Sequence, residues 1–150
     1  MSLSNLQNSK TVQNHTTSEN EIDGLREVVK RDIADASLKA LSADRRFATA
    51  YNAVLQLSKM AIACAGYRVK NGAGHHLKTF EAVKEIIGAN NAENLMDYFD
   101  LCRRKRNKID YDSAEVVTKS EAEELFEKTL EFQKIIEAWI EQNHPIYKSR

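Results

Sequence analysis

Between Ser18 and Gln142, apolar residues return every three or four positions in long runs that no proline interrupts, since the chain's only proline is Pro145. That spacing matches the 3.6-residue turn of an α-helix, so each run presents one apolar stripe that needs another helix to cover it. The longest run is Phe47, Ala50, Tyr51, Val54, Ser58, Ala61, Ile62 and Ala65, with Ser42 and Asp44 before it as helix-starting residues. Ala48, Ala50, Ala53, Ala61, Ala63 and Ala65 favour helix and let a neighbouring backbone come close, which suits the central helix of a bundle.

The other runs fall into place around it. Ser18 and Glu21 have capping-box spacing and open a helix over about 19–40, along which Ile22, Leu25, Val28, Val29 and Ile33 share a face. Lys70-Asn71-Gly72-Ala73-Gly74 reads as a chain reversal. A shorter helix follows over 76–87, with Leu77, Phe80, Val83 and Ile87 inward and Gly88 at its C-cap. A fourth begins near Asn91 and carries Leu95, Phe99, Cys102 and Ile109 on one face. Thr118 and Glu121 form a second capping box for a last helix, ending near Gln142, with Leu125, Phe126, Phe132, Ile136, Trp139 and Ile140 as its stripe. The expected fold is all-α: an up-and-down bundle of four main helices plus one shorter helix over residues 19–150. No strand-like alternation competes. Residues 1–18, rich in Ser, Asn, Gln and Thr, are expected to be a disordered tail, because they offer too little apolar surface to offset ordering entropy.

Basic and acidic side chains balance at 22 each, so no global field draws the chain to nucleic acid or a membrane, and any polyanion site must be local. Neither cysteine, Cys64 or Cys102, has metal-type spacing, and both read as small core residues of a reducing compartment. No stretch approaches the roughly 20 apolar residues of a membrane span, and the N-terminus lacks the order of a secretory signal. The expected location is the cytoplasm.

The one local concentration of charge is Arg103, Arg104, Lys105, Arg106 and Lys108. Cations in a last helical turn complement the helix dipole and need no ligand. Arg106 differs, because it lies on the apolar stripe of its helix and so requires either a buried partner or a hollow that an anion can reach. Asn107, Asp110 and Tyr111 follow within about a turn. Positions 106 and 111 diverge by about 140° on a regular helix, so their convergence requires the helix to end around Ile109.

Arg106-Asn107 followed by Tyr111, placed on the helix before the last one and after a glycine turn, resembles the signature of the HEPN superfamily across roughly residues 35–142. These are small helical bundles named for higher-eukaryote and prokaryote nucleotide-binding proteins. Their commonest signature is RNxxxH, and here Tyr111 stands in the His position. The resemblance implies binding of RNA or a nucleotide and metal-independent RNA cleavage, with Arg106 on the scissile phosphate and Asn107 and Tyr111 completing the catalytic group. Beside that group, Arg103, Arg104, Lys105, Lys108 and His76 are the candidate phosphate-binding residues. No metal or cofactor is implied. A two-fold homodimer is, together with a role in toxin–antitoxin or phage-defence systems beside a nucleotidyltransferase-like antitoxin. An imidazole titrates near 6.5 and a phenol near 10, so the Tyr111 departure leaves either a slower catalyst or none. Tyr111 can still donate a hydrogen bond while Arg106 stabilises developing charge.

His75 and His76 leave a helix start in different directions, which argues against a shared metal and for capping or packing; His76 is the candidate replacement for the missing base. His15 falls in the tail. Glu141 and His144 have di-iron spacing but sit at a helix end, and Glu93, Asp97 and Asp100 read as a solvated stripe. Neither a GxSxG elbow nor a phosphate loop occurs. The alternative function is a non-enzymatic protein-interaction module in which Arg106 is structural.

Overall fold

The computed structural model describes residues 11–111 and 115–150; for residues 89–91, 110 and 111 it describes the backbone alone. The order of elements is β1 (Val12–Asn14), α1 (Glu19–Ala36), α2 (Ala43–Cys64), β2 (Tyr67–Val69), α3 (His75–Ile87), α4 (Ala89–Tyr111) and α5 (Lys119–Asn143), closed by a 3-10 turn over Pro145–Tyr147. The fold is an all-α bundle of four long helices and the shorter α3. Helix α2 packs against α1, α3, α4 and α5 alike, which its alanines permit. An aromatic chain ties the layers together, with ring centroids 6.2 Å apart for Tyr51 and Phe80, 6.3 Å for Phe80 and Phe99, and 5.3 Å for Phe99 and Phe132. No described helix is long and apolar enough to cross a membrane.

Local chemistry sets the helix ends. Thr118 and Glu121 form the full reciprocal capping box at the start of α5. At α1 only half of the expected box forms: Ser18 Oγ accepts from the Glu21 N–H, while the Glu21 carboxylate turns to Thr17 and His15. Helix α1 ends at Ala36 and not near residue 40, because the Arg46 guanidinium of α2 takes the Ala36 carbonyl at 2.8 Å and Ser37 Oγ donates to the Ala34 carbonyl. The Asp44 carboxylate accepts the backbone N–H groups of Glu115, Val116 and Val117, anchoring the approach to α5 on the first turn of α2. Gly88, at φ 97°, lets α4 start at Ala89, earlier than expected.

Two sequence expectations are corrected. Residues 12–14, assigned to the tail, form an antiparallel ladder with β2, pairing Val12 with Val69 and Asn14 with Tyr67. The ladder forms because Val12, 3% exposed, covers the core edge that α2 leaves open, and Gly66 at φ 95° turns the chain out of α2 to meet it. The expectation for residues 1–10 lies outside the described residues. Leu77, expected inward, is 38% exposed, because α3 turns Thr79, Phe80 and Val83 into the core and the Thr79 hydroxyl is satisfied by the His75 carbonyl.

Arg26 is the most heavily bonded buried ion. Its guanidinium meets both carboxylate oxygens of Glu137 at 2.7 and 2.9 Å, Asp23 at 3.0 Å and the Tyr147 carbonyl at 2.8 Å, so it clamps α1 to the end of α5 and the C-terminal turn. Its truncation strands the partly buried Glu137. Arg26→Ala is expected to lower stability in urea by about 2–4 kcal/mol. Lys30→Ala, which removes an ion pair more than half exposed on both sides, should leave the midpoint unchanged.

Candidate functional site

A tyrosine in the middle of an alanine-rich stripe creates a requirement, because a buried phenol needs a hydrogen-bond partner. Tyr51 on α2 is 0% exposed, and its Oη lies 3.0 Å from Nδ1 of His76. His76 reaches it from the first turn of α3, which Gly74 opens in the left-handed region at φ 73°. The neighbouring His75 diverges, its Nδ1 lying 3.2 Å from the Lys70 carbonyl and its ring plane standing at 62° to that of His76.

The cationic face of α4 completes the arrangement. Arg103 and Arg106 are one turn apart and so share a helix face. Both lie close enough to His76 and Tyr51 to act on their titration. Burial, then the positive groups of His75, Arg106, Arg103 and Lys59, push His76 below its ordinary value, while burial raises the Tyr51 phenol. His76 is therefore held neutral beside two guanidinium groups. If its Nδ1–H donates to the phenol oxygen, Nε2 is a base; if the phenol donates to Nδ1, Nε2–H is a donor.

The rest of the basic run does not converge there. Arg103 also pairs with Asp100 at 2.8 Å, Lys105 reaches across to Glu121 on α5, and Arg104, Asn107 and Lys108 are exposed. The helical backbone of α4 runs through Tyr111, past the expected end at Ile109, so the turn that was to bring Tyr111 back beside Arg106 is absent. The side chains of Asp110 and Tyr111 lie outside the described residues. Asp97 of the acidic stripe pairs with Lys84.

Two cavities are lined by other residues. One, about 270 Å³, lies between the ladder, α1, α2 and α3, and a broader hollow of about 1110 Å³ lies at the start of α2 and α5. Arg106 lines neither. Cys64 and Cys102 are buried free thiols, pushed up by burial to about 12 and about 11, far from nucleophilic use. Among the described residues no three His, Cys, Asp or Glu side chains are grouped to hold a metal. No family model, curated protein or solved structure matches the chain.

Sequence reasoning named His76 and the arginines but treated Tyr51 only as a member of the stripe. Its signal was available: one hydroxyl-bearing aromatic amid alanines on the most buried helix. In a proton-NMR titration, His76 is expected to show a midpoint below about 6.5, and Arg106→Ala should move it upward by removing a positive neighbour. The unfolded chain binds the extra proton first as pH falls, so the stability contributed by neutral His76 is whole above about 6.5 and is lost through the lower folded value. His76→Gln should accordingly flatten the fall in urea midpoint over that window.

Proposed function

We propose that this chain is a HEPN-like protein that binds RNA on the α3–α4 face and cleaves it without a metal, with His76 moving the proton and Arg106 and Arg103 stabilising phosphate charge. The observation that carries this reading is the 3.0 Å contact between Tyr51 and His76, which orients an imidazole on α3 within electrostatic reach of Arg106 and Arg103 on α4. It supplies the proton-transfer group that Tyr111 does not. In the reaction, His76 takes the 2′-hydroxyl proton as the O2′–P bond forms. The P–O5′ bond breaks, and the resulting imidazolium returns its proton to the leaving 5′-oxygen, giving a 2′,3′-cyclic phosphate. The arginines oppose the charge on the five-coordinate phosphate. Tyr51 acts through His76 as a positioning residue.

Family resemblance adds a two-fold homodimer, a toxin–antitoxin or phage-defence setting, and a nucleotidyltransferase-like antitoxin as partner. The protein-interaction reading is favoured by Leu77 and Leu101, 38% and 61% exposed on the adjoining helices α3 and α4.

A mixed RNA pool incubated with purified protein in chelator separates these readings. Cleavage to cyclic-phosphate ends is expected, and Arg106→Ala and His76→Ala should each reduce the rate by about 10²-fold or more. Tyr51→Phe should act mainly by shifting the pH–rate profile. Persistent cleavage in both Ala variants sinks the assignment, and absence of both cleavage and salt-sensitive RNA binding leaves the interaction module.

A further inference from the structure

The cavity of about 270 Å³ between the ladder, α1, α2 and α3 takes no part in the chemistry above, and its charges are already set against one another. Arg68 of β2 acts on the Glu21 carboxylate, and the Gln13 amide oxygen accepts from Nε and Nη2 of Arg68. Glu21 in turn accepts at Oε1 from the Thr17 hydroxyl at 2.6 Å, with His15 Nε2 at 2.7 Å from the same oxygen, and its Oε2 has no hydrogen bond among the described residues. The Thr17 hydrogen bond, with His15 and Arg68 behind it, outweighs burial and holds this carboxyl below its ordinary value, so it is an ionised acceptor at neutral pH. His75 Nδ1–H donates to the Lys70 carbonyl at 3.2 Å, which makes Nε2 of the neutral ring a second acceptor. Leu25, Ile62, Ala63 and Val69 line the walls with apolar surface, and Lys59 and Asn71 add N–H donors.

We infer that this cavity is a guanine-binding site; resting on the RNA reading above, it receives the base of a nucleotide adjoining the scissile phosphate. The volume falls just below the range of roughly 300–1,000 Å³ usual for small-molecule sites, which admits one base and excludes a whole nucleotide. A carboxylate oxygen and an imidazole lone pair call for N–H donors on neighbouring atoms, and among the RNA bases guanine alone presents them, at N1 and N2. Guanine O6 follows on the same edge and accepts from Lys59 or the Asn71 amide. Uracil would bring a carbonyl oxygen against the carboxylate. The apolar walls cover the faces of the flat ring, as recognition of an unstacked single-stranded base requires. The link to the catalytic face is short: the His75 ring centroid lies 6.1 Å from that of His76, and Lys59 acts on the titration of His76. A single nucleotide bridges that gap with its phosphate toward Arg106. His15, whose N–H bonds the Gly66 carbonyl just past β1, holds Glu21 in place, so the N-terminal ladder shapes the site.

Guanosine is the probe, titrated into the full chain by calorimetry and by ¹⁵N-resolved NMR, with adenosine, cytidine and uridine as comparisons. Saturable binding of guanosine is expected, with the largest shifts at Ile62, Ala63, Val69 and His75, and with the other nucleosides at least about 5-fold weaker. Glu21→Gln puts an amide where the carboxylate stood and should weaken guanosine by about 10-fold or more. Because that change also loosens His15 and Thr17, Lys59→Gln serves as a second variant; its side chain is exposed, so guanosine should weaken by about 3-fold with the thermal midpoint unchanged. In the mixed RNA pool, cut ends should fall beside guanine, and Glu21→Gln should spread them to other bases. Arg106→Ala should leave guanosine affinity within about 2-fold, so guanosine binding without RNA cleavage supports the cavity site and removes only the RNA reading. The inference is overturned if guanosine does not saturate below about 1 mM, if another nucleoside binds as tightly, if the shifts centre on α4, if neither variant changes affinity, or if cleavage shows no preference for guanine.

Discussion

Burial of most of the α2 surface is the constraint from which the other features follow. Small side chains at Ala50, Ala53 and Ala61 bring neighbouring helices close, and the larger Phe47, Val54, Leu57 and Met60 fill the space between them. Four helices and β2 lean on this one surface, so the register of each is set by what it must cover. Helix α3 shows the effect: it turns Leu77 toward solvent in order to bury Thr79 and Phe80.

Depth of burial also produces the candidate site. A phenol at the centre of the bundle cannot be hydrated, so Tyr51 selects a polar partner from the next helix, and the first turn of α3 supplies His76. The same packing brings Arg103 and Arg106 of α4 within electrostatic reach of the imidazole, and desolvation with that positive charge favours its neutral form. A structural requirement of the core thus orients a group suited to proton transfer. His75, one residue away, diverges from it and lines the cavity of about 270 Å³.

Much of the architecture was legible because it rests on local rules. The caps at Ser42 and Thr118, the five helical runs and the central place of α2 are each encoded within a few residues of themselves. Errors arose where partners were distant. Arg46 ends α1 from another helix, and Val12 becomes a strand residue through pairing with Val69, 57 positions on by the residue numbers; neither relation leaves a local pattern. The basic run read as one cluster because its members are adjacent in sequence, yet helical geometry fans them round α4, sending Lys105 to Glu121 and leaving Arg104 and Lys108 in solvent.

The sequence by itself determined an all-α bundle, the approximate extent of its helices and the anomalous place of Arg106 on an apolar stripe, because periodicity and capping act over one or two turns. Tertiary structure alone decided that His76 meets Tyr51, that Arg103 and Arg106 come near enough to act on their titration, and that Lys59, Arg68 and His75 border a common hollow. These are distances between helices far apart along the chain, and they are set by how buried surfaces of unequal shape fit together, which no stretch of sequence specifies alone.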